Sequence, residues 1–379
     1  MLKNKFQIIF SITFLVFLVF FIIRLIYDKN YSGFDSFIFQ NFFDYFADFF
    51  NHAKISEYGN VYNGPTWSLA ERGLPPLHYV LFTLCSNFAN WASVPTLFEN
   101  GFSFPAQIAK CVFVGNYLLC CVSILYFIYL YEKLNMTNKY LKFFIIIGFI
   151  ISVPFIHEYE RGNAVILAVF AVSIYLFNYD SFNKYKRYFS LLALGFAIAL
   201  KIFPLFFMIL LFQEKRYRDC FLVFLIVISF FTFGFIYLGG NFVQNILFYI
   251  INMYVNMQTY HYASHHLILI MLVLIVFGNL FIKQKWKMCL TIVLIILTVS
   301  HSFMDGYRLM YLLPITVMFL NKSFFSKIDY LYGTLLILMI SPIDIISSIY
   351  TGKMLSVLLF LDTCIDTIKV LNKSKLKKT

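Results

Sequence analysis

The stretch YFSLLALGFAIALKIFPLFFMILLFQ, residues 188–213, has the length of one membrane span, yet Lys184, Lys186 and Arg187 precede it and Lys215, Arg216 and Arg218 follow it. A helix rises 1.5 Å per residue, so about twenty apolar residues cross the hydrocarbon layer. Lysine and arginine collect on the cytoplasmic side of a membrane protein. A segment with basic flanks at both ends therefore has to return to the side it left. The return is predicted at Lys201-Ile202-Phe203-Pro204, where proline limits the helix and a lysine among apolar neighbours needs a polar cavity. Two half-length helices meeting there are expected; one tilted span with a misassigned flank is the plain alternative.

The rest of the chain fits the same solvent. With 61% hydrophobic and 13% charged side chains it has too little charge to cover a globular surface. Its 49 Phe and 27 Tyr suit lipid-facing and interfacial helix surfaces and leave no room for a sizeable soluble domain. The expected fold is an all-α polytopic membrane protein, a single domain over residues 1–379. A net charge of +12 raises nucleic acid as a partner, but the cations stand in short clusters between apolar runs. Their partner is the lipid bilayer. The seven cysteines show neither paired nor metal-ligand spacing and read as small buried hydrophobes.

Further basic links occur at Lys133, Lys139 and Lys142, at Lys283, Lys285 and Lys287, at Lys322 and Lys327, and in a tail over 365–379 with Lys373, Lys375, Lys377 and Lys378. All are predicted cytoplasmic. Phe6 to Tyr27 follows Lys3 and Lys5, exceeds a signal-peptide core and lacks a small-residue cleavage site, so it reads as the first membrane helix, with the N-terminus inside. Parity then requires Pro75 to Asn90 to dip into the membrane and return before a crossing that starts near Gln107, with the Glu99 link outside. Roughly ten to twelve membrane segments result. The outer links become 28–75, 157–163, the Lys201 apex, 239–266 and 301–308, and nearly every reactive side chain falls in them.

In the first outer link, Asp44, Asp48 and His52 recur every four residues, with Phe43, Phe46, Phe49 and Phe50 on the remaining surface. That pattern predicts an amphipathic helix on the membrane surface, either merely solvated on its acidic side or offering a carboxylate to take a proton from a hydroxyl. The segment His157-Glu-Tyr-Glu-Arg161-Gly-Asn163 joins two helices by a turn at Gly162. Read as chemistry rather than as a solvated loop, Arg161 holds a phosphate oxygen, and Glu158 or Glu160 orients it or binds acceptor hydroxyls. Lys201 calls for a phosphate partner in the same way. Histidines gather at His261, His265 and His266 and recur at His301, without fixed metal spacing. In His301-Ser-Phe-Met-Asp305-Gly-Tyr-Arg308, a helix start at Asp305 turns Arg308 and Tyr311 back to the outer cavity, towards a lipid phosphate. No phosphate-cradling glycine loop, nucleophile elbow or zinc-protease helix is present, so a donor has to come from the membrane.

The ordered set Asp48-Phe-Phe-Asn51, Leu74-Pro75-Pro76-Leu77, Glu160-Arg161-Gly162-Asn163 and Ala199-Leu-Lys201-Ile-Phe-Pro204-Leu205 resembles the C-type glycosyltransferases of glycosyltransferase family 87, a polytopic, mannosyltransferase-like group. The resemblance runs from about the first helix to the link at Lys215 and weakens beyond it. It implies the C-type architecture, with broken or re-entrant helices, and a multi-pass enzyme of the plasma membrane with both termini cytoplasmic. It also implies a polyprenyl-phosphate sugar donor, a glycan or glycolipid acceptor, inversion on the outer face, and a first-loop aspartate as general base. Carried over, the base is Asp48, with Asp44 as the alternative. Lys201, Arg161 and Arg308 would hold the donor phosphate, and Asn51, Glu158, Glu160, Asn163, His265, His301 and Tyr311 would bind acceptor or sugar. Fixed cations suit a monophosphate donor, so no metal cofactor is expected; the outer histidines are the residues that would offer a divalent ion ligands. A Pro75-Pro76 pair after Gly73-Leu74 stands where many relatives have a tyrosine. A transporter or flippase is the rival from another class, but it needs polar groups along its whole path. A polymerase or ligase acting on a lipid diphosphate would carry its large outer loop late rather than early.

Overall fold

Helices follow the apolar runs. The computed structural model describes residues 2–27, 46–57, 61–62, 73–88, 109–259, 266–282, 284–301, 306–341 and 345–376. Among these there is no strand. Sixteen α-helices occur there: α1 Leu2–Tyr27, α2 Ala47–Glu57, α3 Pro76–Ser86, α4 Ala109–Lys133, α5 Lys139–Ile150, α6 Val153–Arg161, α7 Val165–Asn178, α8 Lys184–Leu200, α9 Ile209–Gln213, α10 Tyr217–Tyr237, α11 Phe242–Thr259, α12 His266–Ile282, α13 Lys285–His301, α14 Leu312–Leu320, α15 Lys327–Ile340 and α16 Ile345–Leu376. Short 3-10 helices at Phe203–Met208 and Gly306–Tyr311 lead into α9 and α14.

The basic links lie together at one end of the bundle. Asn138 and Asn183 cap α5 and α8 there, each accepting two backbone N–H groups beside the first lysines of the helix. Asn321 accepts from the Asn135 N–H at 2.7 Å and donates to the Lys133 carbonyl at 2.8 Å, while Gln7 of α1 donates to the Leu320 carbonyl at 2.9 Å. Arg216 donates to the Tyr179 carbonyl at 2.6 Å, Lys285 pairs with Asp180 at 2.8 Å, and buried Lys287 pairs with Asp362 and Asp366 of α16 at 2.7 and 2.8 Å. From this end α8 runs to Lys201 and the α5–α6 pair runs to Arg161. The candidate side chains therefore stand at the opposite end of the helices from the lysine-rich links.

Two helices have the length and apolar character of a complete span, Lys110–Lys133 and Tyr217–Tyr237, and α5 with α6, bent by 44°, makes a third. Other apolar helices, α3, α7 and α12 among them, are 10–17 residues long. Among the described residues, full-length spans thus stand beside half-length and bent helices, the mixture that the expected broken and re-entrant segments call for.

Where the chain was expected to break, it does. Leu200 ends α8, Lys201 is extended at φ −145° and ψ 129°, and the 3-10 helix carrying Pro204 follows. Of the stretch 75–90, expected to dip into the membrane and return, the described residues hold the short helix α3, begun by Pro75-Pro76. Two expectations need correction. His157 to Arg161 is not loop but the last turns of α6, leaving Gly162-Asn163-Ala164 as the turn. And α2 does not lie on a surface: Phe49, Phe50, Ala53 and Ile55 are buried, and so are His52, Lys54 and Ser56. The aromatic side chains flanking Asp48 pack inward, with Phe49 against Phe46 and Phe82, and draw the polar residues in with them.

Candidate active site

The site is organised by one turn. α6 stops because Gly162 adopts φ +64°, a left-handed conformation that glycine takes without strain. The chain entering α2 docks on this turn: the Phe46 N–H donates to the Glu160 carbonyl at 2.6 Å. A Cβ on Gly162 would lie 2.8 Å from the Phe49 Cβ, so glycine also permits the close approach. The Phe49 ring rests on Gly115 of α4, where a Cβ would come within 2.2 Å of it.

Docked in this way, Asp48 in the first turn of α2 reaches both neighbours of Gly162. Its Oδ1 accepts from Arg161 Nε at 3.1 Å and Nη2 at 2.5 Å, and its Oδ2 accepts from Asn163 Nδ2 at 2.6 Å. Arg-Gly-Asn is thus a clamp for one carboxylate, with charge from the arginine, a second anchor from the amide and the necessary approach from the glycine. Burial pushes the Asp48 pKa upward, but the Arg161 charge and these hydrogen bonds outweigh it and hold it below the ordinary value of 3.8.

Around the clamp stand further groups of α2 and α6 and groups from three other elements. Lys201, at the break after α8, is 9% exposed. His52 lies one turn beyond Asp48, and its pKa is lowered to about 3, first by burial and then by the charge of Lys201, against the pull of Asp48. His78 of α3 is fully buried and meets the His52 ring edge to face, centroids 4.4 Å apart. Glu158, buried in α6, accepts the Ile166 N–H at 2.8 Å and lies within electrostatic reach of Lys201 and Asp48. Arg308 sets its guanidinium 4.5 Å from the ring centre of Phe203, two residues from Lys201, and buried Tyr311 senses both Arg308 and Glu158.

Several polar atoms here are buried without a hydrogen-bond partner: His52 Nδ1, both ring nitrogens of His78, Glu158 Oε2, Asn163 Oδ1 and Tyr311 Oη. Such an atom costs about 1–3 kcal/mol where nothing satisfies it. A polar ligand bound near Asp48 and Lys201 would satisfy them.

The sequence model of a family described as glycosyltransferase family 87 matches residues 75–323, well over half of the chain. The chain belongs to glycosyltransferase family 87. No curated protein and no solved structure matches it. It is a membrane glycosyltransferase, using a sugar donor and an acceptor. The match extends well past Lys215, further than the resemblance read from the sequence, and holds Arg161-Gly-Asn163, Lys201 and Arg308. It starts after Asp48, which the hydrogen bonds to Arg161 and Asn163 tie to the matched part.

Of the residues singled out in this glycosyltransferase, Asp48, Glu158, Arg161, Asn163, Lys201, Arg308 and Tyr311 converge. Glu160 turns instead to His157, 4.0 Å away, because it projects from another face of α6 than Glu158 does. Asn51 is half-buried on α2, three residues beyond Asp48. Asp44, His265 and Asp305 lie outside the described residues, as does the side chain of His301 at the end of α13. Sequence reasoning missed His78. A lone histidine in the apolar run Leu77 to Cys85 was the available signal, since such a group at membrane depth needs a reason.

Proposed function

We propose that this glycosyltransferase moves a mannose-like hexose, with inversion, from a polyprenyl-phosphate carrier to a hydroxyl of a glycan or glycolipid on the non-cytoplasmic face of the plasma membrane. The observation that carries this reading is the clamped Asp48 carboxylate, which bears on the same buried His52 as Lys201 does, at the end of the bundle away from the basic links. An apolar groove of about 570 Å³ between α4 and the α5–α6 pair supports a lipid-borne donor. It runs from Tyr131 to Tyr159, two residues from Arg161.

The acceptor oxygen attacks the anomeric carbon, its proton passes to Asp48, and the bond to the phosphate oxygen breaks. A carboxylate oxygen accepts about two hydrogen bonds, so Arg161 fills Oδ1 while Asn163 leaves one acceptor position on Oδ2. Asp48 is a weak base. That suffices, because the transition state resembles an oxocarbenium ion and the attacking hydroxyl becomes acidic as the new bond forms. The leaving phosphate is assigned chiefly to the cations Lys201 and Arg308. No metal is assigned a part.

The test is to supply the purified protein in lipid with a panel of polyprenyl-phosphate sugars and measure consumption of donor together with formation of glycoside. Donor carried across the bilayer without being consumed would favour a flippase and contradict the proposal. Lys201→Met, which keeps the apolar stem and removes the charge, is expected to lower turnover about 10²–10³-fold. Turnover within twofold of the wild type would remove Lys201 from the phosphate site.

The depressed pKa of Asp48 fixes a sign. Its ionised form contributes stability that is full above the unfolded value and is lost as pH falls through the folded one. The acid limb of the rate profile is therefore expected below pH 3.8. Arg161→Gln should raise that limb, because burial then acts with less opposition. A pH–rate profile whose acid limb stays where it was in the Arg161 variant would contradict the assignment.

A further inference from the structure

His52 and His78 are left without a task by the transfer chemistry. α2 and α3 pack side by side, Ser56 Oγ donating to the Tyr79 carbonyl at 3.2 Å, and this brings the two rings together. Phe82 closes one side, its ring centre 5.1 Å from that of His52 and 4.7 Å from that of His78. His78 is 0% and His52 6% exposed, and three of their four ring nitrogens are buried with no hydrogen-bond partner.

The charges facing the pair decide what would satisfy those nitrogens. Lys201 at the end of α8 and Arg161 of α6 are positive, and Asp48 of α2 is negative. A metal cation meets two fixed positive charges, and among the described residues no three ligating side chains are placed to hold one. An anion is better served by Lys201 and Arg308 than by neutral rings. A neutral imidazole has one donor and one acceptor, and a hydroxyl both donates and accepts. Location agrees with the chemistry. In a displacement that runs from the acceptor oxygen at Asp48 to the phosphate at Lys201, the sugar ring lies between those two residues, and both bear on the His52 ring.

We propose that His52 and His78 form a hydroxyl-reading pair for the transferred sugar and so determine which sugar this enzyme accepts. The proposal rests on the transfer reaction described above and adds a specificity site to it. A buried site built to bond a hydroxyl rejects a substrate that lacks it far more strongly than an apolar pocket rejects a missing methylene.

The experiment compares the wild type with His78→Phe, which keeps an aromatic ring without nitrogens, and with His78→Gln, which restores a donor and an acceptor. Each is assayed in liposomes with the polyprenyl-phosphate hexose that the wild type consumes and with its 2-, 3-, 4- and 6-deoxy analogues. The wild type is expected to disfavour one analogue by about 10²-fold or more in kcat/KM. His78→Phe should lose most of that ratio by slowing on the full donor alone, and His78→Gln should recover part of it. Where His78→Phe does not fold, His52→Phe is scored by the same ratio. An undiminished ratio in the variants overturns the pair, as does an equal loss of kcat on all donors. Failure of the wild type to consume any donor overturns the transfer reading as well, which separates the two.

Discussion

Asp48→Asn is expected to lower sugar transfer about 10³-fold or more, because the amide cannot take the acceptor proton. The substitution also weakens the clamp. The pair is partly exposed, with the Arg161 side chain at 25% and Asp48 at 16%, and its loss should cost about 1–3 kcal/mol of stability. Arg161→Gln breaks the same pair from the other side and serves as the control. Similar losses in melting temperature are expected from both, with a much larger loss of turnover from Asp48→Asn. Equal turnover in the two variants would make Asp48 a structural anchor and nothing more.

Gly162→Ala should be strongly damaging although the residue lies outside the reacting groups. A non-glycine residue in the left-handed region costs about 1–2 kcal/mol, before any clash. Here the added Cβ also stands 2.8 Å from the Phe49 Cβ and 3.0 Å from the Phe46 ring, so α2 has to lift away from the turn. Lifting α2 moves Asp48 with it. A displacement of about 1 Å at a reacting group lowers rate about 10²-fold, so turnover is expected to fall by that order while the helical content persists. Circular dichroism and donor consumption on the same preparation check this. A wild-type rate in Gly162→Ala would mean that docking of α2 does not set the position of Asp48.

The parts of this structure that were legible from sequence are those enforced by single residues. Pro204 and Lys201 announced the break after α8, and Gly162 announced the turn, since each residue type restricts the backbone or forbids plain burial in lipid. Residue spacing put Asp48 and His52 on one helix face, and they remain neighbours on α2. What spacing did not convey was depth. Phe46, Phe49 and Phe50 have the composition of an interfacial helix, and only tertiary packing against Gly115, Gly162 and Phe82 makes them core residues. For the same reason the pairing of Arg161 was hidden. Asp48 is 113 positions away in the chain, and nothing local distinguishes an arginine awaiting a phosphate from one already holding a carboxylate. The number of complete crossings was less legible, because apolar composition alone does not separate a full span from a half-length helix.

The central claim is that Asp48, clamped by Arg161 and Asn163, accepts the acceptor's proton as the sugar leaves its phosphate. Azide tests it most directly, being a nucleophile that needs no base and small enough for the position left between Arg161 and Asn163. Asp48→Ala in liposomes, given the polyprenyl-phosphate hexose with azide, is predicted to form a glycosyl azide of the anomeric configuration opposite to the donor's, while remaining inactive towards the natural hydroxyl. A variant equally inactive with azide, or one that still glycosylates the hydroxyl, would contradict the account.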